Sequence, residues 1–190
     1  YSLFMNAEVN NSKFLERCEK SQCYKLVFKD IDFKNYNPKE PFDYFQNFWS
    51  IYLKFKEEFK NKNNKEINNT YNGMAFSIIM VNLIDFYKIQ IEFMDEDIGI
   101  PDVKPDIVIK SNENFLIFLS LKTSLRERWK QADWEAIKFK EKFKDGICYL
   151  LSNNEKEVTN IKKKDNLYID KIFFTNKNDL NELVERILKY

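Results

Sequence analysis

The residues with the most chemistry in them lie in one stretch of the chain. Asp106 follows Pro105 at the head of a β-branched run, Ile107-Val108-Ile109, and Lys122 closes a second apolar run that begins at Phe115. A loop centred on Ser111-Asn112-Glu113-Asn114 joins the two runs as a hairpin, bringing the start of the first strand beside the end of the second. Asp106 and Lys122 thereby meet at one edge of a sheet. Ser120, two residues before Lys122, points to the same face. A carboxylate beside an ammonium at a strand end is the arrangement needed to hold a divalent metal and orient a water for attack on a phosphate. Taken singly, each residue has a plainer role. Asp106 can cap a turn, Lys122 can be a solvated strand-end charge, and Arg126 and Glu127 can belong to a surface ion-pair cluster. Their joint spacing favours a site.

Composition narrows the chemistry further. The 190 residues include no histidine, which excludes Ser-His and Cys-His nucleophiles, an imidazole metal ligand and a histidine general base. Catalysis must then fall to carboxylates, lysine, tyrosine, cysteine or hydroxyls. Of 31 Lys and Arg residues only four are arginine, and two of these, Arg126 and Arg128, follow directly on Lys122. Guanidinium is the bidentate reader of phosphates, so that placement fits phosphate contacts near a scissile bond. Gln131 is a further candidate for a base or backbone contact. A formal charge of +1 does not argue for or against a nucleic-acid partner, because a neutral total can hide a basic face. The three cysteines, Cys18, Cys23 and Cys148, lack a fourth zinc ligand and read as reduced thiols of a cytosolic protein. No apolar run approaches the ~20 residues that span a bilayer. The opening Tyr1-Ser2-Leu3-Phe4 shows neither an initiator methionine nor a signal-peptide pattern, and the expected location is the cytoplasm.

The elements that must position these side chains follow from periodicity. Phe45, Phe48, Trp49, Tyr52, Phe55 and Phe59 recur at three- and four-residue steps and predict an amphipathic helix over 42–60 with an aromatic core face. A second helical run opens at Gly73 and is apolar on nearly every side as far as Tyr87. Strands are predicted over 89–94, 106–110, 115–122, 146–152 and 169–174, a helix over 127–144, and a last helix capped by Asn178 and ending near Lys189. The Asn/Lys-rich segment 61–72 and Lys162-Lys163-Lys164 read as solvated loops. The expectation is one domain over 1–190, with a helical part over 1–60 and a core over 70–190. Its class is α/β (α+β), a central mixed sheet flanked by helices.

Pro105-Asp106, the strand-loop-strand that follows, Lys122 and the run Thr123-Ser124-Leu125-Arg126-Glu127-Arg128-Trp129 resemble the PD-(D/E)xK nuclease superfamily, and the last stretch is similar to a signature of type II restriction endonucleases. The resemblance covers residues 70–152 and leaves the first 60 unplaced. It implies a restriction-endonuclease-like core and Mg2+- or Mn2+-dependent hydrolysis of phosphodiesters in double-stranded DNA by a homodimer, within a restriction–modification system. Carried over, Asp106 is the metal-bridging carboxylate and Lys122 orients or activates the attacking water. Ser120 departs from the pattern, since it stands where the superfamily has an acidic residue. Some members also carry serine there and bring the missing carboxylate from the following helix.

Glu135 is the leading replacement, and its reach can be estimated. Extended chain to about Arg126 travels ~13 Å past Lys122 at ~3.3 Å per residue. A helix doubling back from about Arg128 returns ~10 Å by Glu135 at ~1.5 Å per residue. If the helix begins at Thr123 instead, Glu127 becomes the better candidate; Glu92 and Glu66 are the remaining ones. Two other DNA-directed functions stay open, besides a plain interaction role. One is a non-catalytic DNA-binding module on a nuclease-like fold, and the other is a repair nuclease that reads DNA structure. A plain interaction protein docking through its aromatic helix would show no salt-dependent DNA affinity.

Overall fold

Five short segments of strand pattern make one sheet, ordered as the chain makes them: β1 (Gln90–Phe93), β2 (Ile107–Lys110), β3 (Leu116–Lys122), β4 (Ile147–Ser152) and β5 (Lys171–Phe174). The computed structural model describes residues 8–190, so the opening tetrapeptide lies outside the described residues. A loop of five residues between β2 and β3 allows only an antiparallel hairpin, and β1 pairs antiparallel with β2 as well. Helices separate β3 from β4 and β4 from β5, and these crossovers make both pairs parallel. The expected mixed sheet with flanking helices is therefore present.

The two faces of β3 go to two cores. Ile117, Leu119 and Leu121 pack with helices α1 (Ser12–Lys20), α2 (Pro41–Asn63), α3 (Thr70–Phe86) and α6 (Lys177–Lys189). Phe118 packs on the other face with Val108, Cys148 and Leu150 against α4 (Arg128–Lys142) and α5 (Glu155–Lys162). Burial on both faces is why the central strands read as continuous apolar runs and not as alternation. The N-terminal helices share the first core with the sheet, and Asn11 docks them there. Its side-chain amide donates to Ile89 O (2.8 Å), while its carbonyl accepts from Ile91 N (2.9 Å).

Several boundaries differ from expectation for physical reasons. A Glu40/Asp43 capping box with Pro41 in the first turn starts α2, and Asn64 in left-handed backbone (φ 51°) ends it. Phe45, Phe48 and Tyr52 are buried as expected, whereas Phe55 and Phe59 are only half-buried. The solvated segment 61–72 is not all loop, because α2 runs through Asn63 and α3 begins at Thr70. Asn/Lys composition reports solvation, and lysine is a good helix former. Asn176, not Asn178, caps α6 by accepting from Asp179 N (2.8 Å). Both α1 and α5 were unread. In α5 only Val158 and Ile161 are buried, too few to make a periodic signal, and it takes in Lys162 from the lysine run. Among the described residues no helix is long and apolar enough to cross a membrane. The three cysteines are free and buried, and burial pushes each thiol up to about 12, which leaves them unreactive near neutral pH.

One close approach ties α4 to the sheet. A Cβ at Gly146 would lie 2.6 Å from the Phe139 ring and 2.9 Å from Phe143 O, so β4 can start under the end of α4 only with glycine there. Gly146→Ala is expected to cost about 1–3 kcal/mol as overpacking. Urea unfolding would show this as a lower midpoint at unchanged slope.

Candidate active site

The hairpin register builds the first half of the site. Ile107 pairs with Leu119, and one step further along the ladder sets Asp106 across from Ser120. Asp106 Oδ2 accepts a hydrogen bond from Leu121 N (2.8 Å) and lies 3.7 Å from Lys122 Nζ. Strand alternation turns Ser120 and Lys122 to the face that carries α4. Both are buried, and the Lys122 side chain is only 8% accessible. Asp106 keeps 33% accessibility because it opens onto a cleft.

The second half comes from α4. The helix begins at Arg128, not at Thr123, so the chain travels outward before doubling back. On its inward stripe Ala132, Ala136 and Phe139 join the second core, and Glu135 is buried among them at 6% accessibility. Glu135 lies within electrostatic reach of both Lys122 and Asp106. Glu127 caps nothing inward; it is exposed and pairs with Lys130 (2.6 Å). Glu66 is exposed and pairs with Lys60 (2.9 Å), and Glu92 is half-buried on β1. The structure thus brings together Asp106, Ser120, Lys122 and Glu135, and leaves Glu127 and Glu66 in solvent.

The half-buried Asp106 carboxyl and the buried Glu135 carboxyl are both held above the ordinary carboxylate range. For Asp106 burial is the largest cause, opposed by the Lys122 ammonium and the Leu121 N–H, reinforced by the Asp95 charge and opposed again by Arg128. For Glu135 burial again leads, opposed by Lys122, reinforced by Asp106, and opposed by a hydrogen bond from Gln131 and by Arg128. One buried ammonium between two desolvated carboxylates leaves an excess of negative charge. Their oxygens are hard donors, and magnesium is commonly held by one or two carboxylates with water completing its shell. The residues present fit that ion, and Asp106 and Glu135 are the ones that would hold it. No third Asp, Glu or Cys joins them in a tight group among the described residues.

The raised values carry a pH dependence. A carboxyl whose pKa is higher folded than unfolded stabilises the fold fully below its unfolded value and loses that contribution as pH rises through the folded value. In chelator the contribution of these two carboxyls to the unfolding midpoint is therefore expected to diminish as pH rises. Magnesium should restore it in the wild-type protein and leave Asp106→Asn unmoved, a difference read by thermal unfolding with and without the ion.

Around Asp106 the cleft holds about 710 Å3 and is lined by Arg17, Thr70, Met74, Asp95, Thr123 and Arg128, among others. Two of these were missed in the sequence. Asp95 adopts a left-handed backbone (φ 45°), donates its N–H to Pro105 O (2.8 Å), and presses its charge on Asp106. Its only sequence signal is the acidic run Asp95-Glu96-Asp97, which resembles any solvated turn. Arg17 of α1 donates to Met94 O (2.5 Å) and pairs with Glu96 (3.2 Å), contacts across nearly eighty residues that no local pattern announces. Arg128 lines the cleft at the head of α4. Arg126 is exposed in left-handed backbone (φ 33°) on the β3–α4 connection, and Gln131 is exposed with its amide turned to Glu135.

Fold and site together define an α/β protein in which a cleft-facing aspartate pairs with a buried lysine at one end of a mixed sheet, near a buried glutamate. Comparison with protein-family models, curated proteins and solved structures found no match to this chain.

Proposed function

We propose that this chain is a magnesium-dependent endonuclease of double-stranded DNA, of the type II restriction kind, working as a homodimer in the cytoplasm. The observation that carries the reading is the pairing of Asp106 with buried Lys122, with Glu135 within electrostatic reach of both and Arg128 lining the cleft onto which Asp106 opens. Lys122 is buried with its ammonium held 3.7 Å from Asp106, which opens onto the cleft, and in this reading the ammonium orients a water there. Asp106 holds that ammonium in place and, with Glu135, supplies oxygen donors. Magnesium (or manganese), when bound, would contribute Lewis acidity and charge neutralisation at a scissile phosphate. Arg126 and Arg128 offer forked donors to flanking phosphate oxygens.

Incubation with long DNA and magnesium is expected to give discrete fragments, and Asp106→Ala to give none. Salt-dependent DNA binding without cleavage would favour the non-catalytic module. DNA left intact under magnesium and manganese alike would sink the enzymatic reading.

A further inference from the structure

Between β3 and α4 the residues 123–127 are irregular backbone, with neither a strand ladder nor a helix to set the position of Arg126 or of the turn that leads into Arg128 at the head of α4. What holds it is α5. Leu125, fully buried in the second core, donates its N–H to Glu157 Oε2 (2.5 Å), and its carbonyl accepts from Arg128 N. Glu157 stands in the first turn of α5, its own N–H bonded to the capping Asn154 side chain (3.1 Å). Val158 and Ile161 of α5 pack in the same core as Leu125. Just past the helix, Lys164 Nζ lies 4.7 Å from the centroid of the Trp129 ring, which packs against that core one residue beyond Arg128. Glu157 in the first turn of α5 and Lys164 just past its end thus contact the two ends of the segment 125–129.

We propose that Glu157 is a positioning residue: through the Leu125 amide it sets where Arg126 and Arg128 stand relative to Lys122, with Lys164 on Trp129 fixing the far end. This rests on the endonuclease reading, because it assigns those arginines to phosphates. The competing role is plain stability, a carboxylate that satisfies one backbone N–H. The two predict opposite signs. Removing a negative charge near a DNA surface, with nothing else changed, tightens binding. Loss of positioning weakens it and reduces the number of phosphates engaged.

The experiment is a mobility shift on duplex DNA in chelator over a salt series, for the wild-type protein, Glu157→Ala and Glu157→Gln, with hydrogen exchange at the Leu125 amide. Glu157→Ala is expected to speed that exchange, to weaken binding by about tenfold or more, and to reduce the slope of log affinity against log salt by about one to two, the loss of one or two phosphate contacts. Glu157→Gln, which keeps an acceptor oxygen, should return all three towards wild type. Should the alanine variant lose its cooperative unfolding transition, Asn154→Ala frees the same turn without changing charge and carries the same expectation. Faster exchange with equal or tighter binding at unchanged slope overturns the positioning role and leaves the endonuclease reading intact. A wild-type protein with no salt-dependent DNA affinity overturns the endonuclease reading and the positioning role with it.

Discussion

Asp106→Asn is expected to abolish DNA cleavage while leaving the metal-free protein as stable as the wild type at neutral pH, or more so. The substitution keeps the side chain's volume and an oxygen that can accept from Leu121 N. It removes a charge that burial disfavours and that is repelled by the Asp95 and Glu135 charges. The Glu135 charge, within electrostatic reach of Lys122, still partly offsets the buried ammonium. The catalytic loss should exceed the ~100-fold that removal of an outer-shell partner of a metal costs. Plasmid nicking rates and thermal unfolding in chelator, measured on one preparation, test both halves. Retained nicking would remove Asp106 from the chemistry. A sharp drop in the midpoint would make its bond to Leu121 and its pairing with Lys122 structural above all.

Lys122→Met reverses the sign on stability. The ammonium is more deeply buried than the carboxylate it touches, and it faces Glu135 as well. Without it, the Asp106 and Glu135 carboxyls lose the charge that most offsets their desolvation and keep only the exposed Arg128. Breaking a buried pair from one side costs about 3–5 kcal/mol. The stranded carboxyls can escape by taking up protons, so the penalty should be smaller at mildly acid pH than at neutral pH. Cleavage should be lost too. Combining Lys122→Met with Asp106→Asn should recover part of the lost stability, because the double variant leaves fewer unpaired charges. The coupling read from that cycle would measure the pair. Additive single effects would show that Asp106 and Lys122 do not act on each other in solution.

The asymmetry between these variants arises from geometry that was partly legible in the chain. Two strands and a five-residue loop force a hairpin, and a hairpin forces Asp106 beside the end of β3. Period two then places Ser120 and Lys122 on one face. Those inferences need only local backbone rules, and the register bears out the arrangement. The aromatic helix α2 and the apolar helix α3 were legible for the same reason, since their burial is written in a 3.6-residue period. By contrast α5 has two buried apolar residues in eight, and its side-chain hydrogen bond to the β3–α4 connection is one carboxylate on one backbone N–H.

The sequence by itself determined the kind of chemistry available to this protein: no imidazole, a carboxylate and a lysine at one strand edge, and scarce arginines directly after them. It also determined the α/β class, because strand and helix periods are local properties of the chain. Only the tertiary structure decided which glutamate turns inward. Glu135 and Glu127 differ by whether α4 starts at Arg128 or Thr123, a choice made by the packing of Ala132, Ala136 and Phe139 on the sheet and of Leu125 under α5. Only the tertiary structure brought Asp95 and Arg17 to the cleft. Proximity between residues far apart in the chain is set by how whole elements bury their apolar faces, and that is a global property no short window of sequence contains.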